Sequence, residues 1–189
     1  NEKPIGFDSA GELNLPMHHY PRRRELGRGG FGVVFEVWDE TIKRPLAMKV
    51  LHEDMTRGIG AGGSRSLPAV ARFLNEAQIT GQIEHPGVAP VHEIAADKDG
   101  GIFFTMQVVE GKSLHEILYL QEHEKMRDGW TTTRLVNILL KICDTLAYAH
   151  SKKIIHRDVK PANIMIGRFG ETYVMDWGLA KRVGSEEGE

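Results

Sequence analysis

The sequence predicts an α+β fold, in which a five-stranded antiparallel sheet with one long helix precedes a mainly helical region. Three observations support this. Short runs rich in β-branched and aromatic residues, separated by turn residues, occupy much of residues 22–109, as is typical of antiparallel strands. One stretch of helical periodicity interrupts them over residues 68–83. Beyond residue 110, the apolar spacing indicates helices over residues 113–125 and 131–151. Ser113 and Glu116 suit a capping box at the start of the first helix, and one face of the second is lined by Leu135, Ile138, Leu139, Ile142, Leu146 and Ala149.

The composition is typical of a folded domain and excludes several kinds of partner. Hydrophobic residues make up 41% of the 189 residues, enough for a core. The net charge of −2 gives no basic surplus for nucleic acid or an anionic membrane. No apolar run approaches the ~18 residues that a membrane-spanning helix needs. The single cysteine, Cys143, excludes an internal disulfide and favours a reducing, cytoplasmic location.

A glycine-rich segment opens the predicted sheet. Gly27, Gly29 and Gly32 follow the spacing G-x-G-x-x-G, which two kinds of nucleotide-binding fold use. A dinucleotide-binding oxidoreductase needs a helix after the third glycine. Here the residues that follow read VVFEVW, which favours a strand. The segment therefore predicts a hairpin whose loop can fold over phosphates, because glycines let backbone N–H groups approach the oxygens.

A lysine lies within the next predicted strand, residues 44–51. Lys49 has apolar neighbours there, an unfavourable place for an ammonium group unless it is paired. Glu76, near the middle of the predicted helix 68–83, is the carboxylate that we expect to pair with it. Glu84 is a poorer candidate because it lies beyond the end of that helix.

The stretch with the most chemistry begins at His156 and reads HRDVKPAN. Two apolar runs, residues 164–166 and 172–175, follow it and are separated by a glycine-bearing turn, which predicts a hairpin. The hairpin brings one end, with Asp158, Lys160 and Asn163, close to Asp176 at the other end. Asn163 and Asp176 offer oxygen ligands of the kind that Mg²⁺ prefers, and Lys160 offers a positive charge for phosphate. This set suits phosphoryl transfer.

HRDVKPAN followed by DWG resembles the catalytic loop and the metal-binding motif of the protein kinases, H-R-D-x-K-P-x-N and D-F-G. A lysine two positions after the aspartate, as at Lys160, resembles the serine/threonine branch of the family. Trp177 in place of phenylalanine resembles a variant of the motif found among bacterial serine/threonine kinases. Ala47 to Lys49 is similar to the family's A-x-K. The resemblance extends from about Leu26 to Lys181.

The resemblance implies a protein-kinase-like bilobal fold. It places a loosely ordered lead-in at residues 1–20, an N-lobe at 21–109 and the start of a C-lobe at 110–181. Residues 182–189 would begin an activation segment, which we expect to be disordered, and the rest of the C-lobe would be missing. Trp177 is expected to pack beneath the long helix near Thr80 and His156. Arg157 is similar to the arginine that pairs with a phosphorylated activation segment, for which Ser185 is a candidate acceptor.

The resemblance also implies the activity of a serine/threonine protein kinase, which transfers the γ-phosphate of ATP to a protein substrate with the help of Mg²⁺. Asp158 would orient the hydroxyl, Lys160 would neutralise developing charge, and Lys49, fixed by Glu76, would position phosphates. Asn163 and Asp176 would hold the metal. The residues implied for the nucleotide pocket, with Met106 as gatekeeper, are Leu26, Gly27, Gly29, Gly32, Val34, Ala47, Lys49, Met106, Gln107, Val109 and Met165. The alternative is a nucleotide-binding module without transferase activity.

Overall fold

A computed structural model of the protein describes residues 6–7, 13–14, 20–52, 67–97, 101–123 and 130–184. The strands are β1 Gly6–Phe7, β2 Leu13–Asn14, β3 Arg22–Arg28, β4 Gly32–Asp39, β5 Arg44–Leu51, β6 Val91–Ala96, β7 Ile102–Gln107, β8 Gly111–Ser113, β9 Ile154–Ile155, β10 Ile164–Gly167, β11 Thr172–Val174 and β12 Lys181–Arg182. The helices are α1 Leu67–Gly81, α2 Leu114–His123 and α3 Thr132–Ser151, with a 3₁₀ turn at Pro161–Asn163. None of the helices in these ranges is long and apolar enough to cross a bilayer.

The main sheet has five antiparallel strands in the order β3-β4-β5-β7-β6, as predicted. β4 begins at Gly32, so a strand and not a helix follows the third glycine, as expected. Gly32 pairs with Leu51, and a Cβ on Gly32 would lie 2.3 Å from the Val50 carbonyl oxygen. A side chain at this first residue of β4 would therefore clash with the backbone of β5, which explains the glycine.

The two strands predicted over residues 88–95 and 102–109 are shorter than expected. Val88 and Ala89 are buried ahead of β6, and the Val88 N–H donates to the His85 carbonyl in a turn. β6 therefore starts only at Val91, and β7 ends at Gln107. The first strand was predicted to start too early, because the buried residues of a turn are as apolar as those of a strand.

Helix α1 packs on one face of the sheet. Phe73 and Ala77 of α1 are each 1% exposed and form a cluster with Leu51 and Phe104 of the sheet. The Phe73 and Phe104 ring centroids are 5.1 Å apart. This packing fixes α1 relative to β5 and therefore fixes Glu76 relative to Lys49.

Helix α3 is the centre of the second core, but one predicted core residue lies outside it. Ile138, Ile142, Thr145 and Ala149 are buried at spacings of three and four. Leu139 was predicted on this face and is instead 55% exposed. Each residue of an α-helix is rotated by about 100° from the one before it, so Leu139 points away from the face that Ile138 occupies. Leu139 lies with Val136 and Leu140, which are 48% and 57% exposed, in an apolar strip open to solvent.

The predicted start of helix α2 is confirmed as a capping box. The Glu116 N–H donates to Ser113 Oγ at 3.1 Å, and the Ser113 N–H donates to Glu116 Oε2 at 2.7 Å. Residues 124 and 125, the predicted end of this helix, lie outside the described residues.

The end of the described chain is more regular than expected. We expected disorder over residues 182–189, yet Lys181–Arg182 forms β12, which pairs with β9. The Val183 N–H also donates to the Lys153 carbonyl at 2.7 Å. Ser185, with the rest of residues 185–189, lies outside the described part of the chain, as does most of the predicted lead-in 1–20.

Candidate active site

A cleft of about 400 Å³ lies between the main sheet and the β10–β11 hairpin. Met165 and Asp176 line the cleft on the hairpin side, and Lys49 lines it on the sheet side. Every residue predicted for the nucleotide pocket lines it: Leu26, Gly27, Gly29, Gly32, Val34, Ala47, Lys49, Met106, Gln107, Val109 and Met165. The predicted pairing partner Glu76 lines it as well. Leu26 and Asp176, which are 150 positions apart in the sequence, thus meet at one cavity.

The glycine-rich loop between β3 and β4 has open space where side chains are absent. A Cβ built on Gly27, Gly29 or Gly30 would meet nothing within 4 Å. The loop is nevertheless held in shape, because the Gly29 N–H donates to the Gly32 carbonyl at 2.9 Å and the His52 N–H donates to the Phe31 carbonyl at 3.1 Å. A shaped loop with empty space beside its backbone fits phosphate groups.

Lys49 and Glu76 form the predicted ion pair, with Lys49 Nζ and Glu76 Oε1 2.5 Å apart. Only 16% of the Lys49 side chain and 10% of the Glu76 side chain are exposed. Burial raises the pKa of Glu76 above its ordinary value, Lys49 offsets part of that rise, and the nearby charge of Asp176 adds to it. The charge of Asp176 thus adds to the cost of ionising Glu76 in this site.

His156 connects the HRDVKPAN segment to the end of the hairpin. The Asp158 N–H donates to His156 Nδ1 at 3.1 Å, so Nε2 carries the hydrogen and donates to the Met175 carbonyl at 3.0 Å. The ring is 1% exposed, and this burial lowers its pKa, which favours the neutral form that these two bonds require. One imidazole thus fixes the backbone next to both Asp158 and Asp176.

Asp158 is surrounded by the two side chains that the sequence placed with it. Lys160 Nζ lies 2.7 Å from Asp158 Oδ2, and Asn163 Nδ2 donates to the same oxygen at 3.0 Å. The hydrogen bond from Lys160 lowers the pKa of Asp158 and raises that of Lys160. These three residues do not line the cleft themselves, but their neighbour Ala162 does, so they lie beside it.

Asn163 and Asp176 are brought together by the hairpin register. Ile164 pairs with Val174, and the Met175 N–H donates to the Asn163 carbonyl at 2.8 Å. The amide nitrogen of Asn163 is bonded to Asp158, which leaves its amide oxygen as a ligand. Among the described residues no group of three or more His, Cys, Asp or Glu could hold a metal. Two oxygen donors fit Mg²⁺, which usually keeps water and phosphate in its shell.

The backbone is strained at two positions of the site. Asp176 has φ of +59° and Arg157 has φ of +68°, values that non-glycine residues rarely adopt. Arg157 Nε donates to the Leu179 carbonyl at 2.6 Å and so reaches the segment that follows Asp176. Its expected partner Ser185 lies outside the described residues.

Trp177 packs near His156 and Thr80, as predicted. The indole is 1% exposed, its ring centroid is 4.5 Å from that of His156, and it shares the cleft wall with Thr80 of α1. Its Nε1–H donates to the Val174 carbonyl at 3.1 Å. The larger ring is thus accommodated with its polar atom bonded.

Two residues near the cleft were not identified from the sequence. His52 Nε2 lies 2.9 Å from the Gly29 carbonyl oxygen, and Arg72 contacts both Phe31 and Gly178. The sequence did indicate that Arg72 lies near the site, because it precedes Glu76 by four residues and therefore shares its helix face. His52 follows directly after a strand and carried no comparable signal.

Known proteins resemble this chain over the region that contains the cleft. The sequence profile of the protein kinase domain matches residues 20–188. The serine/threonine-protein kinase PknD of Protochlamydia amoebophila is 35% identical over 176 residues, which cover 89% of this chain and 17% of that protein. PknD of Chlamydia pneumoniae is 36% identical over 177 residues, or 90% of this chain and 18% of that protein. The chain therefore spans less than a fifth of the length of these relatives. With a match over nearly its whole length, the chain belongs to the protein kinase domain family.

Proposed function

We propose that the protein containing this chain is a serine/threonine protein kinase, which transfers the γ-phosphate of ATP to hydroxyl groups of protein substrates. One observation carries the proposal. His156 and the hairpin register hold Asp158, Asn163 and Asp176 together beside a cleft. The opposite wall of that cleft holds the buried Lys49–Glu76 pair. Phosphoryl transfer needs a metal site, a phosphate-binding cation and a group that orients the hydroxyl, and this arrangement supplies all three.

The apolar part of the cleft suits adenine. Leu26, Val34, Ala47 and Met165 line it from both sides, as in a slot for a flat ring. The Gln107 N–H already donates to the Pro90 carbonyl at 3.0 Å. We therefore assign the Gln107 carbonyl and the Val109 backbone to the polar edge of adenine, with Met106 as the gatekeeper behind them.

The phosphates would lie between the glycine-rich loop and Lys49. The open space beside Gly27, Gly29 and Gly30 lets backbone N–H groups approach the oxygens. Glu76 keeps the Lys49 ammonium in place, so that it can bind phosphate oxygens when the nucleotide arrives. Asn163 and Asp176 would hold Mg²⁺, which neutralises phosphate charge when it is bound.

Asp158 would receive the hydroxyl of the substrate. Because its pKa is lowered, the carboxylate is ionised at neutral pH and can accept a hydrogen bond from a serine or threonine hydroxyl. Lys160, which now bonds to the same carboxylate, is 52% exposed and can turn toward the transferred phosphate. These exposed groups would meet a protein substrate. A cytoplasmic location fits the single cysteine and the need for ATP.

The proposal is tested on the full-length protein with two measurements. The first is transfer of labelled γ-phosphate from ATP to peptide pools that contain serine and threonine or only tyrosine. The second is thermal melting with ATP, with and without Mg²⁺, where a ligand at 100 times its Kd adds about 2.7 kcal/mol to stability. We expect transfer to serine and threonine, and stabilisation that requires Mg²⁺ and is lost in Asp176→Asn.

Asp144→Asn is the matched control, because Asp144 is an exposed aspartate on α3 away from the cleft. It is expected to match the wild-type protein in both measurements. Mg²⁺-dependent ATP binding without transfer to any peptide would favour the nucleotide-binding module instead. No effect of ATP on melting would overturn both functions.

A further inference from the structure

Arg72 lies where three parts of the site meet. It belongs to α1, one helical turn before Glu76. Its guanidinium carbon is 4.5 Å from the centre of the Phe31 ring, at the tip of the glycine-rich loop. Its Nε donates to the Gly178 carbonyl at 3.2 Å, two residues after Asp176. A single side chain thus contacts the loop and the metal-binding motif from a third element.

The chemistry of arginine allows both contacts at once. A planar guanidinium can stack its face on an aromatic ring while its edge donates a hydrogen bond, which a lysine ammonium cannot do in the same way. Because each contact holds the group in the orientation that the other requires, loss of one weakens the other.

The backbone at Gly178 is close to both carboxylates of the site, so the contact from Arg72 bears on their positions. A Cβ built on Gly178 would lie 3.1 Å from Glu76 Oε2 and 3.2 Å from Asp176 Oδ1, so its backbone passes directly beside both carboxylates. A shift of the Gly178 carbonyl therefore moves the backbone that carries Asp176. Arg72 is attached to that carbonyl, whereas Phe31 is attached to the loop above the phosphates.

We propose that Arg72 is a positioning residue that couples the glycine-rich loop to Asp176, so that ATP under the loop and Mg²⁺ at Asp176 strengthen each other's binding. The inference rests on the proposed function, because it assigns ATP and Mg²⁺ to these two places. The coupling is reciprocal, as linkage requires: the factor by which Mg²⁺ tightens ATP equals the factor by which ATP tightens Mg²⁺. A residue that merely supports α1 would change stability but not this factor.

The test measures the Kd of ATP in the full-length protein without Mg²⁺ and at saturating Mg²⁺, and takes the ratio of the two. The variants are Arg72→Met, Phe31→Leu and the double variant. We expect each single variant to lower the ratio about 5-fold, the size of one arginine–aromatic contact. The double variant is expected to lower it no further, because both changes break the same link.

Arg23→Met is the matched control, because Arg23 lies 4.2 Å from the centre of the Trp38 ring and neither residue lines the cleft. Its ratio is expected to equal that of the wild-type protein. Phe31→Leu changes only the loop, so it tests the link even where Arg72→Met fails to fold.

An unchanged ratio in Phe31→Leu, or single effects that simply add in the double variant, would overturn the inference and leave the proposed function standing. If the wild-type protein does not bind ATP, the proposed function fails and this inference fails with it.

Discussion

Two lysine–carboxylate pairs flank the cleft, and they differ in burial. Lys49 and Glu76 lie 2.5 Å apart with 16% and 10% of their side chains exposed. Lys160 and Asp158 lie 2.7 Å apart with 52% and 25% exposed. The first pair joins a sheet strand to a helix 27 residues later, whereas the partners of the second are two residues apart in one loop.

The difference indicates different tasks. Breaking a buried pair leaves an unsolvated charge, so Lys49 and Glu76 hold each other as a fixed part of the wall. Water can replace either partner of the exposed pair. Asp158 and Lys160 can therefore break their mutual contact and bind substrate groups instead, at little cost in free energy. Under the proposed function, the buried pair would hold the phosphate-binding lysine in place, and the exposed pair would be free to take part in transfer.

The largest expected effect comes from Asp158→Asn. The amide keeps the size of the side chain but cannot accept the proton of the hydroxyl, so we expect phosphoryl transfer to fall by about 10²–10⁴-fold. ATP binding should remain, because Asp158 does not line the cleft. Single-turnover transfer and ATP binding are measured on the same preparation. Transfer at the wild-type rate would remove Asp158 from the mechanism.

The second prediction tests the buried pair by Lys49→Met. This change leaves the Glu76 carboxylate, whose pKa burial already raises, without its counter-charge in a site that is nearly closed to water, and we expect the free energy of unfolding to fall by about 3 kcal/mol. Denaturant unfolding measures it. Lys160→Met is the matched change in the exposed pair and is expected to leave the melting temperature unchanged. Equal destabilisation by both variants would mean that burial does not distinguish the pairs.

A smaller effect is expected from Trp177→Phe, which tests the packing beneath the two pairs. Phenylalanine cannot donate the hydrogen bond that Nε1 makes to the Val174 carbonyl, and this oxygen would be left buried without that donor. We expect a loss of about 1–2 kcal/mol in the free energy of unfolding. The Asp176→Asn variant keeps the indole and serves as the comparison. An unchanged stability would show that the hydrogen bond contributes nothing here.

The subtlest prediction concerns pH, because the two carboxylates shift in opposite directions. Burial raises the pKa of Glu76 above its ordinary 4.5, so its contribution to stability is complete below that pH and is lost as pH rises through its folded pKa. The hydrogen bond from Lys160 lowers the pKa of Asp158 below 3.8, so its contribution is present above that pH and is lost as pH falls. Solvent screening makes the Asp158 contribution the smaller of the two.

Carboxyl chemical shifts followed against pH by NMR report both groups. In Lys49→Met, the pKa of Glu76 is expected to rise further, because Lys49 is the main group that lowers it. A Glu76 midpoint that does not move in this variant would contradict the assigned cause.

Local sequence predicted much of the fold because the strands and helices repeat their apolar residues with the period of each structure. The predicted strand 44–51 matches β5, and the capping box at Ser113 is present. Leu139 shows the limit of this approach. Its spacing fits a helix face, but which side of α3 is buried depends on the elements that pack against it.

The sequence by itself determined the identity of the chemical groups, because motifs such as HRDVKPAN keep Asp158, Lys160 and Asn163 within six residues. Their spacing of two and three positions keeps these groups close together along the chain. Only the tertiary structure decided how far each lysine is exposed, 16% for the Lys49 side chain against 52% for that of Lys160. It alone also decided that Arg72 reaches both Phe31 and Gly178. Burial and such contacts depend on how α1 packs on the sheet and over the residues after β11. That packing joins residues as far as 106 positions apart, and no local pattern specifies it.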